Sequence, residues 1–323
     1  MAKLIKILLL FSGGLDSILA AKILQEQNVK IELLAFTSYF FNANQAKQSA
    51  KILRKRIKTI DISKEHFKIV RNPRYCYGRG LNPCLDCHLL MIKKAKQILK
   101  KEKFNLIATG EILGQRPMSQ NKRQFQALEK NVGLKNKILR PLSARLLEPT
   151  IFEKENFIDR KKLLSISGRS RKPQIALAKK YKIKIFPSPA GGCILTDKIF
   201  SQRLKNLFDY KKRIDKNDIE LLKVGRHFLI NNVKIIVGRN HQENLRIKKL
   251  ANRQDILMEI DKISGPTILI KIYNDRKINS EILRKAARLT KRYSSKAQKL
   301  NKVKIKYYTN KKISSDNFFI LSS

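Results

Sequence analysis

The run Leu4 to Phe11, apolar except for Lys6, passes without a break into Ser12-Gly13-Gly14-Leu15-Asp16-Ser17. A short aliphatic stretch of this kind is a strand buried on both faces. The change to serine and glycine marks a turn, and helical spacing follows from Asp16 to Gln25. A buried strand, a glycine turn and a helix in that order open a βαβ unit, which commits the chain to an open sheet covered by helices on both faces. The run is too short for a membrane span, which needs roughly 20 apolar residues, and it leads into no cleavage site of a signal peptide.

The alternation continues. Ile31 to Phe36, Ile57 to Ile62 and Leu106 to Thr109 read as further strands, with helices over Ala46 to Arg56 and Leu89 to Lys101. The expected fold class is therefore α/β, a doubly wound, mostly parallel sheet. Lys135 to Asp197 is more irregular and completes this first domain. The charged stretch Lys211 to Asp218 reads as a linker, and the strand-like runs Phe228 to Val237 and Thr267 to Ile272, with a helix over Ser280 to Thr290, make a second small α+β domain. The expected domains are 1–208 and 209–323.

Composition enters through charge. Lys and Arg number 71 against 25 Asp and Glu, a formal net charge of +46. An AT-rich genome raises Glu together with Lys, and Glu has not risen here. Both halves of the chain are basic, so no tail accounts for the excess, and a polyanion is the expected partner. With four cysteines in 323 residues, no disulfide scaffold is expected; the chain reads as a cytoplasmic protein with reduced thiols and no membrane partner.

Ser12 to Ser17 has the physics of a pyrophosphate cradle. Gly13 and Gly14 let the backbone approach an anion, Ser12 and Ser17 add hydroxyls, and the helix start supplies free N–H groups and the positive end of its dipole. Asp16 is out of place beside phosphates unless it meets a cation, which assigns it to Mg2+. This Ser-Gly-Gly-x-Asp-Ser loop resembles that of the PP-loop ATPases (adenine nucleotide alpha hydrolase-like), which cleave ATP to AMP and pyrophosphate while adenylating a substrate oxygen. No Gly-Lys-Ser or Gly-Lys-Thr of a Walker loop is present.

Thr109-Gly110-Glu111-Ile112-Leu113-Gly114-Gln115, Ser119-Gln120 and Ile138-Leu139-Arg140-Pro141-Leu142 resemble the tRNA 4-thiouridine synthetases. That resemblance implies ATP contacts at Gly110 and Gln120. The chain departs from the family at Arg116-Pro117-Met118 and is expected to lack the N-terminal tRNA-binding domain of those enzymes.

Cys84 and Cys87 open a helix in Asn82-Pro83-Cys84-Leu85-Asp86-Cys87-His88, where the helix dipole is expected to lower thiol pKa values. Cys193 follows in a Gly-Gly loop. Three readings stand. Cys84, Cys87 and Cys193 ligate a 4Fe–4S cluster, as in several thiolation enzymes of the PP-loop superfamily; one cysteine of the pair and Cys193 exchange a persulfide, as in the cluster-free 2-thiouridylases; or the three with His88 hold zinc. His88 also falls near a basic ATP contact of the 4-thiouridine synthetases. Cys76 reads as an ordinary semi-buried thiol, and His227 and His241 as surface residues.

Residues 225 to 315 resemble the NFACT-R RNA-binding domain, through Val237-Gly238-Arg239-Asn240, Ala286 to Ala297 and Val303 to Lys312. The expected RNA contacts are Arg169, Arg171, Lys172, Arg239, Arg288, Lys291, Arg292 and Lys296, with Tyr293, Tyr307 and Tyr308 available for base stacking. Together these readings make the chain an ATP-dependent tRNA sulfurtransferase that replaces a nucleobase carbonyl oxygen, of uridine, with sulfur from sulfide or a persulfide carrier. Asp16, Cys84, Cys87 and Cys193 carry its chemistry. Two alternatives are a translation or quality-control RNA-binding protein with a relict ATP loop, and a PP-loop enzyme adenylating or amidating a small molecule.

Overall fold

A computed structural model describes residues 4–116, 119–186, 193–273, 278–309 and 318–322. The chain divides into two compact units, Met1–Lys198 and Ile199–Ser323.

In the first unit the chain runs β1 (Ile5–Leu10), α1 (Leu15–Gln25), β2 (Val29–Thr37), α2 (Asn44–Ile52), β3 (Ile57–Asp61), α3 (Ser63–Arg71), α4 (Cys84–Lys101), β4 (Leu106–Thr109), α5 (Lys122–Val132), β5 (Ile138–Leu139), α6 (Ile151–Lys154) and α7 (Lys172–Lys180). The five strands pair in parallel in the order β3-β2-β1-β4-β5. Strand alternation sorts the core into two layers. Ile7 and Leu9 point to the face covered by α1, α2 and α7, and Leu8 and Leu34 to the face covered by α4 and α5. The expected doubly wound α/β sheet is therefore present. Its strand order reverses at β1, between β2 and β4, and such a sheet binds ligands beyond the carboxyl ends of the strands at this switch point.

The second unit contains α8 (Lys198–Tyr210), α9 (Lys216–Leu222), β6 (Arg226–Ile230), β7 (Val233–Val237), α10 (His241–Leu250), β8 (Ile256–Ile260), β9 (Ile268–Lys271), α11 (Ser280–Arg292), β10 (Lys302–Thr309) and β11 (Phe318–Ser322). Its strands form one antiparallel sheet in the order β11-β10-β8-β9-β7-β6. Ile235, Ile270 and Ile305 pack under α11 on one face, while Ile236, Leu257 and Leu269 pack with α9 and α10 on the other.

Three sequence expectations change here. The run Phe228 to Val237 is a hairpin, because Asn231 and Asn232 both take the left-handed conformation (φ 48° and 61°) that a tight primed turn needs. The charged stretch Lys211 to Asp218 is no free linker: Asp218 is 1% exposed, accepts the Asp215 N–H at 3.0 Å in the capping box of α9 and accepts Lys211 Nζ at 2.6 Å. Lys271, equally buried, donates to Asp255 at 2.8 Å on the same face. His227 is no surface residue either; its Nε2 meets the Val224 carbonyl at 2.8 Å, and burial with the neighbouring Lys234 and Arg203 lowers its pKa to about 3. His241 is exposed, as expected.

Candidate active site

The turn after β1 is held from three directions. Gly13 has φ +79°, and a Cβ there would lie 2.6 Å from backbone atoms of Gln45 and Ala46, so α2 presses on the loop from one side. From the same helix Ser49 Oγ donates to the Gly13 carbonyl at 2.8 Å. From β4, Gly110 approaches so closely that a Cβ would stand 2.7 Å from the Ser17 nitrogen. Inside the loop the Gly13 N–H donates to Ser17 Oγ at 3.1 Å, and Ser17 Oγ donates to the Gly14 carbonyl at 2.8 Å. The N–H groups of Leu15, Asp16 and Ser17 open α1, where no intrahelical acceptor exists. The result is a preformed anion cradle at the switch point.

Asp16 reaches across this crevice. Its Oδ2 accepts Gln115 Nε2 at 3.0 Å, while its Oδ1 is buried with no hydrogen-bond partner. Gln120 Oε1 is likewise buried and without a partner. Its segment folds back on the rim, with the Gly114 N–H donating to the Gln120 carbonyl. Two unpartnered buried oxygens fit a hard cation with its phosphates, so Mg2+ suits the donor set at Asp16.

The thiol-bearing helix meets the same rim. His88, one residue beyond Cys87, places Nδ1 3.0 Å from Glu111 Oε1, and Glu111 directly follows Gly110. Glu111 also accepts Thr109 Oγ1 at 3.0 Å and Arg140 Nε at 3.1 Å. Burial pushes the Glu111 carboxyl up, but Arg140 and the hydrogen bond from His88 outweigh it and hold the pKa at about 2. Arg140 is locked in turn by Glu129 at 2.7 Å and by the Phe125 ring 3.8 Å beneath it. The motif containing Arg140 and Glu111 was visible in the sequence; their pairing was not, because 29 residues separate them.

Cys193 comes to the cysteine pair through the backbone, where Leu81 N–H donates to the Leu195 carbonyl at 3.0 Å. The charges of Cys193 and Cys84 bear on the Cys87 thiol, and those of Cys84 and Arg116 on Cys193. The expected lowering of thiol pKa values by the helix dipole fails at Cys87. Burial pushes that thiol far up, and Cys193, Cys84 and Asp86 push it further. Burial also raises Cys193. Cys84 is half-buried, and Asn82 Nδ2 donates to its sulfur at 3.2 Å. Cys76 is exposed rather than semi-buried. Among the described residues no group of three or more His, Cys, Asp and Glu side chains stands at metal-holding geometry. His88 is turned to Glu111 instead of a shared zinc, and the cluster expectation rests on the resemblance alone. Pro117, Met118 and Pro189 to Gly192 lie outside the described residues.

Of the expected RNA contacts, Arg169, Lys172, Arg288, Arg292 and Lys296 are exposed and Arg171 and Lys291 half-buried. The Gly168 N–H donates to the Leu113 carbonyl at 2.8 Å, which sets the Arg169 to Lys172 run beside the Gly110 rim. Arg239 is taken up by Glu243, with Nε 2.9 Å from Oε1. The tyrosines are turned inward: Tyr293 and Tyr307 pack on the α11 core, and Tyr308 donates to Glu259 at 2.9 Å. Asn310 to Lys312 lie outside the described residues.

Two regions of the chain match known protein families. Residues 4–146 match the family model of the thiamine biosynthesis protein (ThiI), and residues 225–320 that of the NFACT protein RNA binding domain. Among solved structures, a predicted subunit of tRNA methyltransferase from Methanocaldococcus jannaschii is similar at 23% identity over 43% of this chain and 69% of its own, with a TM-score of 0.32. A 4-thiouridine synthetase in complex with RNA and ATP is similar at 19% identity, over 55% of this chain and 51% of its own, with a TM-score of 0.35. No curated protein matches. Residues 4–146 are thus similar to the ThiI family and residues 225–320 to the NFACT RNA-binding domain, each match covering less than half of the chain.

Proposed function

We propose that the protein is an ATP-dependent tRNA sulfurtransferase acting on a uridine carbonyl. The observation that carries this reading is the meeting of the Ser12–Ser17 cradle with the Cys84 helix at one rim, through the His88–Glu111 hydrogen bond beside Gly110. A phosphate loop alone serves many reactions; a phosphate loop sharing its rim with a helix that carries the partly accessible thiol of Cys84 suits adenylation followed by sulfur transfer.

The cradle N–H groups bind the triphosphate and orient its α-phosphorus toward the base. Mg2+ at Asp16 supplies charge neutralisation of the pyrophosphate. The carbonyl oxygen attacks the α-phosphorus and pyrophosphate leaves. Cys84, loaded as a persulfide by an external sulfur carrier, attacks the activated ring carbon with its terminal sulfur, and AMP departs with the original oxygen. Cys193 thiolate then attacks the Cys84 sulfur. The S–S bond breaks toward the base, which keeps a thiocarbonyl, and the two cysteines are left as a disulfide for an external dithiol to reduce. Cys84 takes the persulfide role because Cys87 is buried and its thiolate strongly disfavoured. The exposed arginines and lysines of α11, with the Arg169 to Lys172 run, hold the RNA by its phosphates.

Single-turnover reactions with bulk tRNA, ATP and a persulfide donor test this reading. AMP, pyrophosphate and a thiolated nucleoside should form together in the wild type, with the nucleoside lost in Cys84→Ser and Cys193→Ser. Absence of tRNA-dependent AMP would overturn it. AMP formed without tRNA would favour a small-molecule substrate, and iron in protein purified without oxygen would return the sulfur to a cluster.

A further inference from the structure

Gln115 stands 99 residues from Asp16 in the chain, and its amide Nε2 donates to Asp16 Oδ2 at 3.0 Å. The loop bearing Gln115 is itself pinned, since the Gly114 N–H donates to the Gln120 carbonyl and the Leu113 N–H donates to Ser143 Oγ at 2.9 Å. Asp16 is thus gripped by one carboxylate oxygen while the other, Oδ1, is buried and without a hydrogen bond. An anionic oxygen withheld from both water and protein donors is a costly arrangement unless a ligand completes it.

The kind of donor matters. A lysine or arginine at position 115 would grip Asp16 equally well, but its charge would cancel the carboxylate and repel a cation. A neutral amide fixes the orientation and leaves the negative charge available. We propose that Gln115 is a positioning residue of the nucleotide site, which turns Asp16 so that Oδ1 meets the divalent cation carried by ATP. This rests on the ATP reading above. It assigns a role to a residue that neither the loop motif nor the matched ATP contacts supplied.

The consequence is selective. The cradle is anchored independently of Gln115, by Ser49 at the Gly13 carbonyl and by Gly110 against Ser17. Loss of the amide should therefore weaken the cation without weakening the phosphates. The test is Mn2+ binding by electron paramagnetic resonance, with a non-hydrolysable ATP analogue, in wild type, Gln115→Met and Gln115→Lys. Analogue affinity is measured in parallel with EDTA present. The expected result is Mn2+ affinity about tenfold lower in Gln115→Met and lower still in Gln115→Lys, a difference of about 1.4 kcal/mol for the first, with metal-free analogue affinity within twofold of wild type in Gln115→Met. Unchanged Mn2+ affinity in Gln115→Met overturns the proposal. An equal fall in metal-free and metal-bound affinity also overturns it, because Gln115 would then merely shape the loop. A wild type that binds neither analogue nor Mn2+ removes the ATP reading itself.

Discussion

Arg140 donates from Nε to Glu111 at 3.1 Å and from Nη1 to Glu129 at 2.7 Å, joining the residue beside Gly110 to the inner face of α5. The guanidinium is 2% exposed and both carboxylates 12%, so this is a buried charge triad, in which removal of one partner strands the others.

Arg140→Met should therefore cost about 3–5 kcal/mol and lower the melting temperature by roughly 10 °C. The pH dependence gives it a signature. In the wild type the Glu111 pKa is depressed from 4.5 to about 2, so its stabilisation is complete above about pH 4.5 and is lost as pH falls through about 2. In Arg140→Met burial acts with less opposition and raises the Glu111 pKa, so the variant's deficit should shrink as the solution is acidified. Melting curves between pH 4 and 8 check both statements.

Gly110→Ala should disable the cradle while leaving the fold intact. The new methyl would sit 2.7 Å from the Ser17 nitrogen and 2.8 Å from its Cα, and the atoms that must give way are backbone. ATP affinity measured by calorimetry should fall at least tenfold, on the order of 1.4 kcal/mol or more. Gly78→Ala, whose methyl meets only the Asn82 carbonyl at 3.6 Å, should bind as wild type.

The cysteines should label in the order of their exposure and thiol acidity. Cys76 is exposed, Cys84 and Cys193 are partly so, and Cys87 is buried with its pKa driven upward by burial first and by Cys193 and Cys84 next. Timed alkylation with iodoacetamide at pH 7.5, read by peptide mass spectrometry, should modify Cys76 first and Cys87 last. Rapid labelling of Cys87 would transfer the persulfide role to it.

RNA affinity should depend on salt through the outer face of α11. That helix buries Ile282, Ala286 and Ala287 and turns Arg288 outward. Arg288→Ala combined with Lys291→Ala should reduce the slope of log K against log salt by about 1.5, from about 0.7–0.9 per lost phosphate contact, with little change between RNA sequences. An unchanged slope would place the RNA on another face.

Much of the first unit was legible because its signals are local. Ile5–Leu10, Leu15–Gln25 and Leu106–Thr109 lie within a residue or so of the runs read from periodicity, and Gly13 is where the chain must take positive φ. α3 was missed, since Ser63–Arg71 buries only Ser63, His66 and Val70 and carries no continuous apolar stripe. The hairpin at Asn231–Asn232 was missed because the strands on either side read as one apolar run. Tyr293, Tyr307 and Tyr308 look in sequence like stacking residues among basic ones, yet strand alternation and the α11 cover turn them to the core or to Glu259.

What the sequence by itself determined is the βαβ order, the phosphate loop and the basic character of both halves, all properties of neighbouring residues or of composition. What only the tertiary structure decided is which residues act on one another. Gln115 reaches Asp16 and Arg140 reaches Glu111 because parallel strands bring their carboxyl ends, and the loops after them, to one rim. The Cys87 thiol is driven up because burial, which depends on the whole packed helix and not on its first turn, outweighs the helix dipole.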